Sequence, residues 1–339
     1  MSEIVARAAS RPPAYQPDPR GAIRAREALA ARFGGSPEDY WLTAGTSDAY
    51  GWLFTLLTDP GEAVAVPRPG YPLVGPLACL AGINTVDYPA YYLHPHGWEN
   101  DLDALDQVLT SPDGPRVGAV VAVHPNNPTG AYTDPGLLEV CARRGTPVIV
   151  DEVFWPFTVE AAVPAGRLSG TDAAWVFGLD GLSKLLAAPH LKLGWIRLAG
   201  PHDEVARVAP VLDRIADAYL PVSTPIADAV PDLLELADAQ VGRVRDRITA
   251  NMAVTRQFFD QPPYRARRTD AGWTALIDVP HGDDDLAVTL LERAHIAVQP
   301  GWLYDLDSAG ALALSLLPET SAFTDGCRLL CDALARVID

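Results

Sequence analysis

The sequence predicts an α/β protein with a three-layer large domain, built around a mainly parallel sheet, and a smaller α+β domain at the C-terminal end. Short apolar runs alternate with helix-like segments over the first two thirds of the chain, a pattern typical of a parallel sheet covered on both faces. The chain of 339 residues is also longer than one ordinary hydrophobic core requires. We therefore expect one large and one small domain.

The large domain begins with an amphipathic helix over residues 20–33, where alanine, arginine and leucine alternate. Its candidate strands are "YWLTA", "AVAVP", "VGAVVAVH", "PVIVDE", "AWVFGL" and "LKLGWIRLA", of which the last is expected to be antiparallel. Helical patterns separate several of them, as in "SDAYGWLFTLL", "YPLVGPLACLAG" and "DPGLLEVCARRG".

A long helical stretch over about 225–259 connects the large domain to the small one. The small domain contains the strand patterns "GWTALIDVP", "IAVQP" and "ALALSLL" and the helices "DDLAVTLLERA" and "TDGCRLLCDALARVI". We predict an N-terminal arm over 1–17, a large domain over 18–240 and a small domain over 241–339.

Composition excludes several classes of partner. The net charge of −17 argues against nucleic acid and anionic lipid, because phosphate groups select basic faces. No apolar run approaches the roughly eighteen residues needed to cross a bilayer, and the first residues contain no signal-peptide core, so we expect a cytoplasmic protein without membrane contact. The four cysteines and the histidines do not form a metal-ligand pattern, and no metal is predicted.

Polar clusters follow five of the candidate strands at the point where each strand ends. They are "AGTSD", "PRPGYP", "HPNNPTG", "DEVF" and "GLSK". The carboxyl ends of strands in open α/β sheets line the ligand crevice. One polar cluster would indicate only a turn, but five at the same edge favour a binding site.

Lys184 is the most informative residue of these clusters. It is followed by Leu185 and Leu186, and an ammonium in apolar surroundings loses hydration, which lowers its pKa and makes the neutral amine available as a nucleophile. Such lysines form Schiff bases with carbonyl compounds. The alternative is an amine that extends past the leucines to water, which an isolated lysine would favour.

The other clusters also have plain structural interpretations. Ser47 and Asp48 are common helix-capping residues. Asn127 could stabilise a turn, Tyr71 could be a packing residue, and the carboxylate of Asp151, like that of its neighbour, could be solvated.

The combination of groups favours a single cofactor. An aldehyde requires an amine, a phosphate requires an anion-binding helix start with hydroxyls, a phenolic oxygen requires a donor, a pyridine nitrogen requires a carboxylate, and the ring requires a flat face. Pyridoxal phosphate fits that set of requirements. Lys184 is the amine, and Thr46 and Ser47 are the hydroxyls at a helix start. Asn127 is the donor, Asp151 is the carboxylate and Tyr71 provides the flat face.

The chain resembles the class I/II aminotransferases, a family of fold-type I pyridoxal-phosphate enzymes. The resemblance covers nearly the whole chain and implies an aspartate-aminotransferase-like fold. Motifs that carry it, in matching order and spacing, are "YQPDPRGAIRAREALAARF", "LTAGTSDA", "PGEAVAVPRPGYP", "HPNNPTG", "VIVDEVF", "LSKLLAAPHLKLGW", "DAGWTALIDVP" and "IAVQPG".

The resemblance implies a role for each site residue. Lys184 would form the Schiff base and move the proton between substrate and cofactor, and Asp151 would keep the ring nitrogen protonated. Asn127 would donate to the phenolic oxygen and Tyr71 would stack on the ring. The phosphate would be held by Thr46, Ser47 and Ser183, and Tyr15 would reach the phosphate of the neighbouring subunit, which implies a homodimer with shared active sites.

Three positions near the cofactor depart from the family pattern. Lys192 stands where an arginine commonly grips the phosphate, and lysine supplies the charge without the bidentate fork. Gly181 replaces a frequent phosphate-binding serine. Phe154 stands where a tyrosine often donates to the phenolic oxygen, so we expect Asn127 to act more alone and the pKa of the Schiff base to be raised.

A fourth departure concerns the substrate. In "GALALSLLP" the family usually carries an arginine that clamps the substrate carboxylate, about where Ala313 lies. Between Arg268 and Arg328 the sequence contains only Arg293, which we interpret as helix surface. Either another residue, with Arg68 as one candidate, holds the carboxylate, or the substrate presents another group.

The sequence therefore predicts an aminotransferase that acts on an atypical amine or amino acid, in specialised metabolism. The alternative is a lyase, decarboxylase or β/γ-elimination or replacement enzyme on the same fold, since substrate contacts decide which bond is broken. A cofactor-binding regulator without activity is disfavoured by the presence of both Lys184 and Asp151.

Overall fold

A computed structural model describes residues 1–10, 17–161, 164–280, 285–306 and 310–338 of the chain. Tyr15 lies outside the described residues. The larger sheet within them contains β1 (Tyr40–Thr43), β2 (Ala63–Arg68), β3 (Asn84–Leu93), β4 (Gly97–Asn100), β5 (Val117–Val123), β6 (Val148–Asp151), β7 (Val176–Gly181) and β8 (Gly194–Ala199).

The strand order of the larger sheet is β1-β8-β7-β6-β5-β2-β3-β4. Neighbouring strands from β7 through β6, β5 and β2 to β3 are parallel. Strand β8 is antiparallel to both β7 and β1, so β1 runs in the same direction as β7. The predicted mainly parallel sheet and its one antiparallel inner strand are thus confirmed.

The helices within the described residues cover both faces of this sheet and the C-terminal region. They are α1 (Ser2–Ala9), α2 (Ile23–Phe33), α3 (Thr46–Leu57), α4 (Val74–Leu80), α5 (Leu102–Thr110), α6 (Gly136–Arg144), α7 (Leu182–Leu185), α8 (His202–Tyr219), α9 (Thr224–Leu234), α10 (Ala237–Phe259), α11 (Leu286–Ala294) and α12 (Thr320–Ile338).

Strand β5 shows why the inner strands are apolar throughout. Ala119, Val121 and Val123 pack against α3, α4 and α8. Val120 and Ala122 point to the other face and pack against α5 and α6. Side chains of a strand point to alternate faces, so a sheet with helices on both sides leaves no solvated face for polar residues. This arrangement is the predicted three-layer architecture.

A second sheet lies in the C-terminal part of the chain. Its described strands are β9 (Arg265–Ala266), β10 (Thr274–Asp278), β11 (Gln299–Pro300) and β12 (Ala311–Ser315), in the order β11-β12-β10-β9 with antiparallel neighbours. Helices α10, α11 and α12 share a hydrophobic core with it. A smaller α+β unit is consistent with the prediction, and its boundary at residue 241 stays a prediction.

The structure differs from the sequence-based expectation in several elements. The single helical stretch predicted over 225–259 is two helices, α9 and α10, because the backbone turns at Leu236, whose N–H bonds to the carbonyl of Leu233 at 3.1 Å instead of continuing the four-residue ladder. The sequence did not indicate α1, β3, β4, α5 or α8. Much of β3 is exposed near the sheet edge, which removes the apolar pattern of a buried strand. None of the described helices has the length and apolarity to span a membrane.

Candidate active site

The predicted site residues follow strands that run in one direction. Strands β1, β2, β5, β6 and β7 all end at the same edge of the larger sheet, because each is parallel to the others through direct pairing or through β8. The five polar clusters therefore lie at one edge of the sheet, as the sequence predicts.

Lys184 lies at this edge in α7, the short helix that begins directly after β7. The leucines that follow it, Leu185 and Leu186, are 2% and 0% exposed and anchor the turn in the core. The amine instead lines a cavity, with Nζ 5.6 Å from the ring centroid of Phe154 and 5.7 Å from that of Trp273. Burial lowers the pKa of Lys184, and the negative charge of Asp151 opposes that shift in part. The amine thus faces the cavity, whereas the two leucines belong to the hydrophobic core.

Asp151 is the last residue of β6 and is 9% exposed. Its Oδ1 accepts a hydrogen bond from the backbone N–H of Val153 at 3.2 Å, and its Oδ2 accepts one from the hydroxyl of Tyr50 at 3.3 Å. Burial raises the pKa of Asp151 to about 6, while the two hydrogen bonds and Lys184 lower it. A protonated ring nitrogen placed beside this carboxylate would stabilise its ionised form.

Three glycines bring the start of α3 close to the strands β7 and β8. A Cβ on Gly194 would lie 3.1 Å from backbone atoms of Gly45, and a Cβ on Gly181 would lie 3.1 Å from Gly194. Gly45 precedes α3 with φ +105°, a backbone conformation that favours glycine. A side chain at Gly181 would therefore make a tight contact with β8.

Lys192 faces the same helix start. Its Nζ lies 3.8 Å from the position that a Cβ on Gly45 would occupy. Free N–H groups at a helix N-terminus and a nearby ammonium form an environment that favours an anion. The arrangement fits a phosphate group.

The hydroxyls beside this helix start are not used in capping. Asp48 bonds back to the N–H of Ala44 at 3.0 Å, whereas Thr46, Ser47 and Ser183 form no side-chain hydrogen bond with any residue that the structure describes. The capping interpretation is therefore wrong for Ser47, and these hydroxyls are available to a ligand.

Asn127 and Tyr71 both line the cavity that contains Lys184. The Oδ1 of Asn127 accepts a hydrogen bond from the hydroxyl of Thr274 at 3.4 Å, which leaves its amide N–H groups as donors. Tyr71 is 47% exposed. Their expected roles toward the phenolic oxygen and the ring stay predictions.

The cavity has a volume of about 580 Å³ and extends from Lys184 to α12. Ala313 lines it and pairs with Leu276 and Gln299 on the neighbouring strands. Among the described residues that line it, Lys184 is the only lysine, arginine, histidine, aspartate or glutamate. Arg68 forms an ion pair with Asp87 at 3.3 Å and is not part of this lining.

Sequence reasoning missed a buried ionic network beneath the site. The guanidinium of Arg167 donates to Glu152 at 2.9 Å and to Asp180 at 3.2 Å, and it lies over the ring of Trp155, 4.4 Å from its centroid. Glu152 is 1% exposed, so the interpretation of it as a solvated charge is wrong. Burial raises the pKa of Asp180 to about 7. The network connects the end of β6, where Asp151 lies, to the end of β7, which leads directly into α7 and Lys184.

The sequence also did not indicate the roles of Tyr50, which contacts Asp151, and of Trp273, which lines the cavity beside Lys184. Tyr50 lies one helical turn after Thr46 and Ser47 in α3, and this spacing could have placed it on the face toward the site. Arg167 lies between β6 and β7 in a segment without periodic pattern, so no local signal indicated it.

Comparison with known proteins identifies the family of this chain. The sequence model of the family described as aminotransferase class I and II matches residues 3–317. Nicotianamine aminotransferase 1 of Oryza sativa subsp. japonica is 30% identical over 209 residues, which are 59% of this chain and 40% of that protein. An S-alkyl-thiohydroximate lyase of Arabidopsis thaliana is 30% identical over 221 residues, which are 63% of this chain and 46% of that protein.

Solved structures agree on the fold. The structure of an alanine aminotransferase from Pyrococcus furiosus superposes with a TM-score of 0.89 at 22% identity, covering 99% of this chain and 87% of that one. The matched regions span less than half of the two curated plant relatives. Because the family match covers nearly all of the sequence, this chain belongs to the aminotransferase class I and II family, whose members are transferases that use pyridoxal phosphate.

Proposed function

We propose that this chain is a pyridoxal-phosphate-dependent aminotransferase that acts on an atypical amine or amino acid in specialised metabolism. The observation that carries the proposal is the placement of the Lys184 amine in a cavity, within the electrostatic influence of the buried carboxylate of Asp151. An amine whose pKa is lowered by burial is the group that proton transfer at a substrate carbon requires.

The residues around Lys184 fit the cofactor. The helix start at Gly45, the hydroxyls beside it and the ammonium of Lys192 suit the phosphate, and Asp151 suits the ring nitrogen. We assign Asn127 to the phenolic oxygen and Tyr71 to one face of the ring, since both line the cavity beside Lys184. When bound, the cofactor supplies an aldehyde that accepts the substrate nitrogen and a ring that withdraws electrons from the substrate carbon.

The chain contributes the proton transfers. In the overall reaction a donor amine and an acceptor carbonyl compound exchange the amino group and the carbonyl oxygen. Lys184 Nζ removes the proton from the donor carbon, and in the reverse half-reaction it delivers a proton to the acceptor carbon. Asp151 would hold the ring nitrogen of the bound cofactor in its protonated form, and Tyr50 donates a hydrogen bond that orients this carboxylate.

The cavity supports an atypical substrate. The family resemblance puts the expected carboxylate clamp at about Ala313, and the described residues that line the cavity include no arginine. A carboxylate placed there without a cation would lose its hydration with little compensation. The relatives include a protein named nicotianamine aminotransferase 1, a further reason to expect a specialised substrate.

A lyase is the second candidate function. One relative at 30% identity is named an S-alkyl-thiohydroximate lyase, and its similarity extends over 63% of this chain. Contacts between the chain and the substrate would decide which substrate bond is broken, so a change in those contacts alone would suffice to change the reaction on this fold.

We also propose a cytoplasmic homodimer with shared active sites. Tyr15, which would reach the phosphate of the neighbouring subunit, lies outside the described residues. Sedimentation of the purified protein at micromolar concentration should give the mass of a dimer, and a monomer at that concentration would contradict this assembly.

Two measurements on the purified protein test the function. Borohydride should fix the cofactor on Lys184, and a label on any other lysine would contradict the proposed site. In a separate sample that has not been treated with borohydride, incubation with an amine donor should convert the cofactor to its aminated form. Release of carbon dioxide or of a small leaving group, without accumulation of the aminated form, would favour the lyase instead.

A further inference from the structure

The cavity continues well beyond Lys184 into an apolar region. Its far wall consists of one face of α12, the strands β11 and β12, and residues 296–298, which directly precede β11. The apolar residues of this wall include Ile296, Val298, Leu314, Phe323 and Leu330. The region is continuous with the space around the amine, so any substrate that reaches Lys184 has access to it.

One helical face of α12 lines this region. Residues 322, 323, 326, 327 and 330 all contribute to the wall, and their spacing of three and four places them on the same side of the helix. Gly326 lies in the middle of that face. Helix interiors disfavour glycine by about 1 kcal/mol relative to alanine, so a glycine here calls for a local explanation.

The space in front of Gly326 supplies that explanation. A Cβ built on Gly326 would meet no atom within 4 Å. Because its neighbours on the same helical face line the cavity, a side chain at this position would project into the apolar region. Gly326 therefore keeps this part of the cavity open.

We infer that the substrate is a primary amine or amino acid with an extended, uncharged apolar substituent, which lies against α12, and that Gly326 determines how long that substituent can be. This inference rests on the proposed function, because it assigns the amine to Lys184. An acidic side chain would find no cation among the described residues of this wall, so dicarboxylic amino acids are disfavoured.

Binding of a series of unreactive alcohols tests the apolar cavity independently of the reaction. Linear primary alcohols from butanol to octanol, which have no amine to react, are titrated into the cofactor-loaded protein by calorimetry. Burial of each methylene should tighten binding about threefold to fourfold. Gly326→Leu should weaken octanol binding at least tenfold and leave butanol binding nearly unchanged.

The chain provides a matched control for this variant. Gly242 lies inside α10, is half-buried, and a Cβ there would also meet no atom within 4 Å, but it does not line the cavity. Gly242→Leu should leave the whole alcohol series unchanged. Gly326→Ala is a smaller change that stabilises the helix, and it should reduce octanol affinity by an intermediate amount. This variant keeps the test valid if the leucine variant does not fold.

A kinetic series then tests the substrate class. Butylamine, hexylamine and octylamine, with alanine, norleucine, aspartate and glutamate, are compared by loss of the visible absorbance of the loaded protein. Hexylamine or norleucine should react faster than aspartate and glutamate. Three results would overturn the inference. They are alcohol affinity that does not depend on chain length, an equal loss of affinity for butanol and octanol in Gly326→Leu, and fastest reaction with an acidic amino acid. If the alcohol series holds and no amine reacts, the apolar cavity is supported and the proposed function is wrong.

Discussion

The hydroxyl of Tyr50 donates a hydrogen bond to the buried carboxylate of Asp151 across 3.3 Å, and this contact joins α3, whose first turn is the proposed anion site, to the end of β6. The pKa of Tyr50 is raised well above its ordinary value by burial and by the charge of Asp151, so the phenol stays neutral and acts as a donor. One side chain thus links the two ends of the proposed cofactor site.

Tyr50→Phe should weaken cofactor binding. Without the hydroxyl the carboxylate loses a hydrogen bond that stabilises its charge, and the pKa of Asp151 rises further. We expect the cofactor Kd at neutral pH to increase by about tenfold, which corresponds to about 1.4 kcal/mol for a hydrogen bond to a charged group, and the optimum for binding to move to higher pH. Fluorescence titration of the cofactor-free protein measures this change.

Tyr88→Phe is the control for that variant. Tyr88 is equally buried, but its hydroxyl donates to the carbonyl of Val121 at 2.7 Å and does not contact Asp151. It should lower the stability of the protein without changing cofactor affinity. Equal effects of the two substitutions on affinity would show that Tyr50 acts only through packing.

Asp151→Asn should stabilise the cofactor-free protein above pH 6. The folded protein keeps the proton of Asp151 up to a pKa of about 6, whereas the ordinary value is 3.8, so the folded state binds more protons between these values and loses stability as the pH rises through them. Removal of the charge abolishes that loss, which is about 3 kcal/mol for two pKa units.

Thermal unfolding at pH 4 and pH 8 tests whether the substitution raises or lowers stability. The cofactor-free forms of this variant and of the unsubstituted protein are compared. The difference in stability should be small at pH 4 and favour the variant at pH 8. The variant should also bind the cofactor more weakly, because a neutral amide does not stabilise a protonated ring nitrogen. A variant less stable at pH 8 would contradict the prediction.

Lys192→Ala should weaken cofactor affinity far more than it slows proton transfer. The ammonium lies beside the helix start at Gly45 and not among the residues that line the cavity, so its charge acts on the anion site. Loss of one charge-assisted contact should raise the cofactor Kd about tenfold or more. Lys192→Arg, which keeps the charge, should retain affinity.

Titration with the cofactor and single-turnover rates at saturating cofactor separate these two effects. Slow proton transfer with unchanged affinity would assign Lys192 to the reaction and remove it from the phosphate site.

Ala313→Arg should shift the preference toward amino acids. The introduced guanidinium would lie in the cavity wall and could bind a carboxylate through two parallel hydrogen bonds. We expect kcat/KM for norleucine to rise at least tenfold relative to pentylamine, which differs from norleucine only by lacking the carboxylate. Ala313→Met, of similar length and without charge, should not change this ratio, and an equal change in both variants would contradict the prediction.

Much of this site could be predicted from the sequence because its parts are local. A parallel sheet requires apolar strands, and each strand ends where polar residues begin, so Asp151, Asn127 and Lys184 could be assigned to one edge before any coordinates were known. The alternation of buried residues in β5 follows from the same periodicity. These features depend on residues close together in the chain.

The contacts that tune the site depend on residues far apart in the chain. Arg167 meets Glu152 and Asp180 only through the pairing of β6 with β7, and Gly326 faces the cavity only because α12 packs on the small sheet. Charge, burial and open space at a point are properties of all the elements that meet there. The sequence by itself determined strands β1, β2 and β5 to β8 and the edge at which the lysine and its carboxylate lie. Only the tertiary structure decided which side chains surround them and how far the cavity extends, because those contacts join residues far apart in the chain.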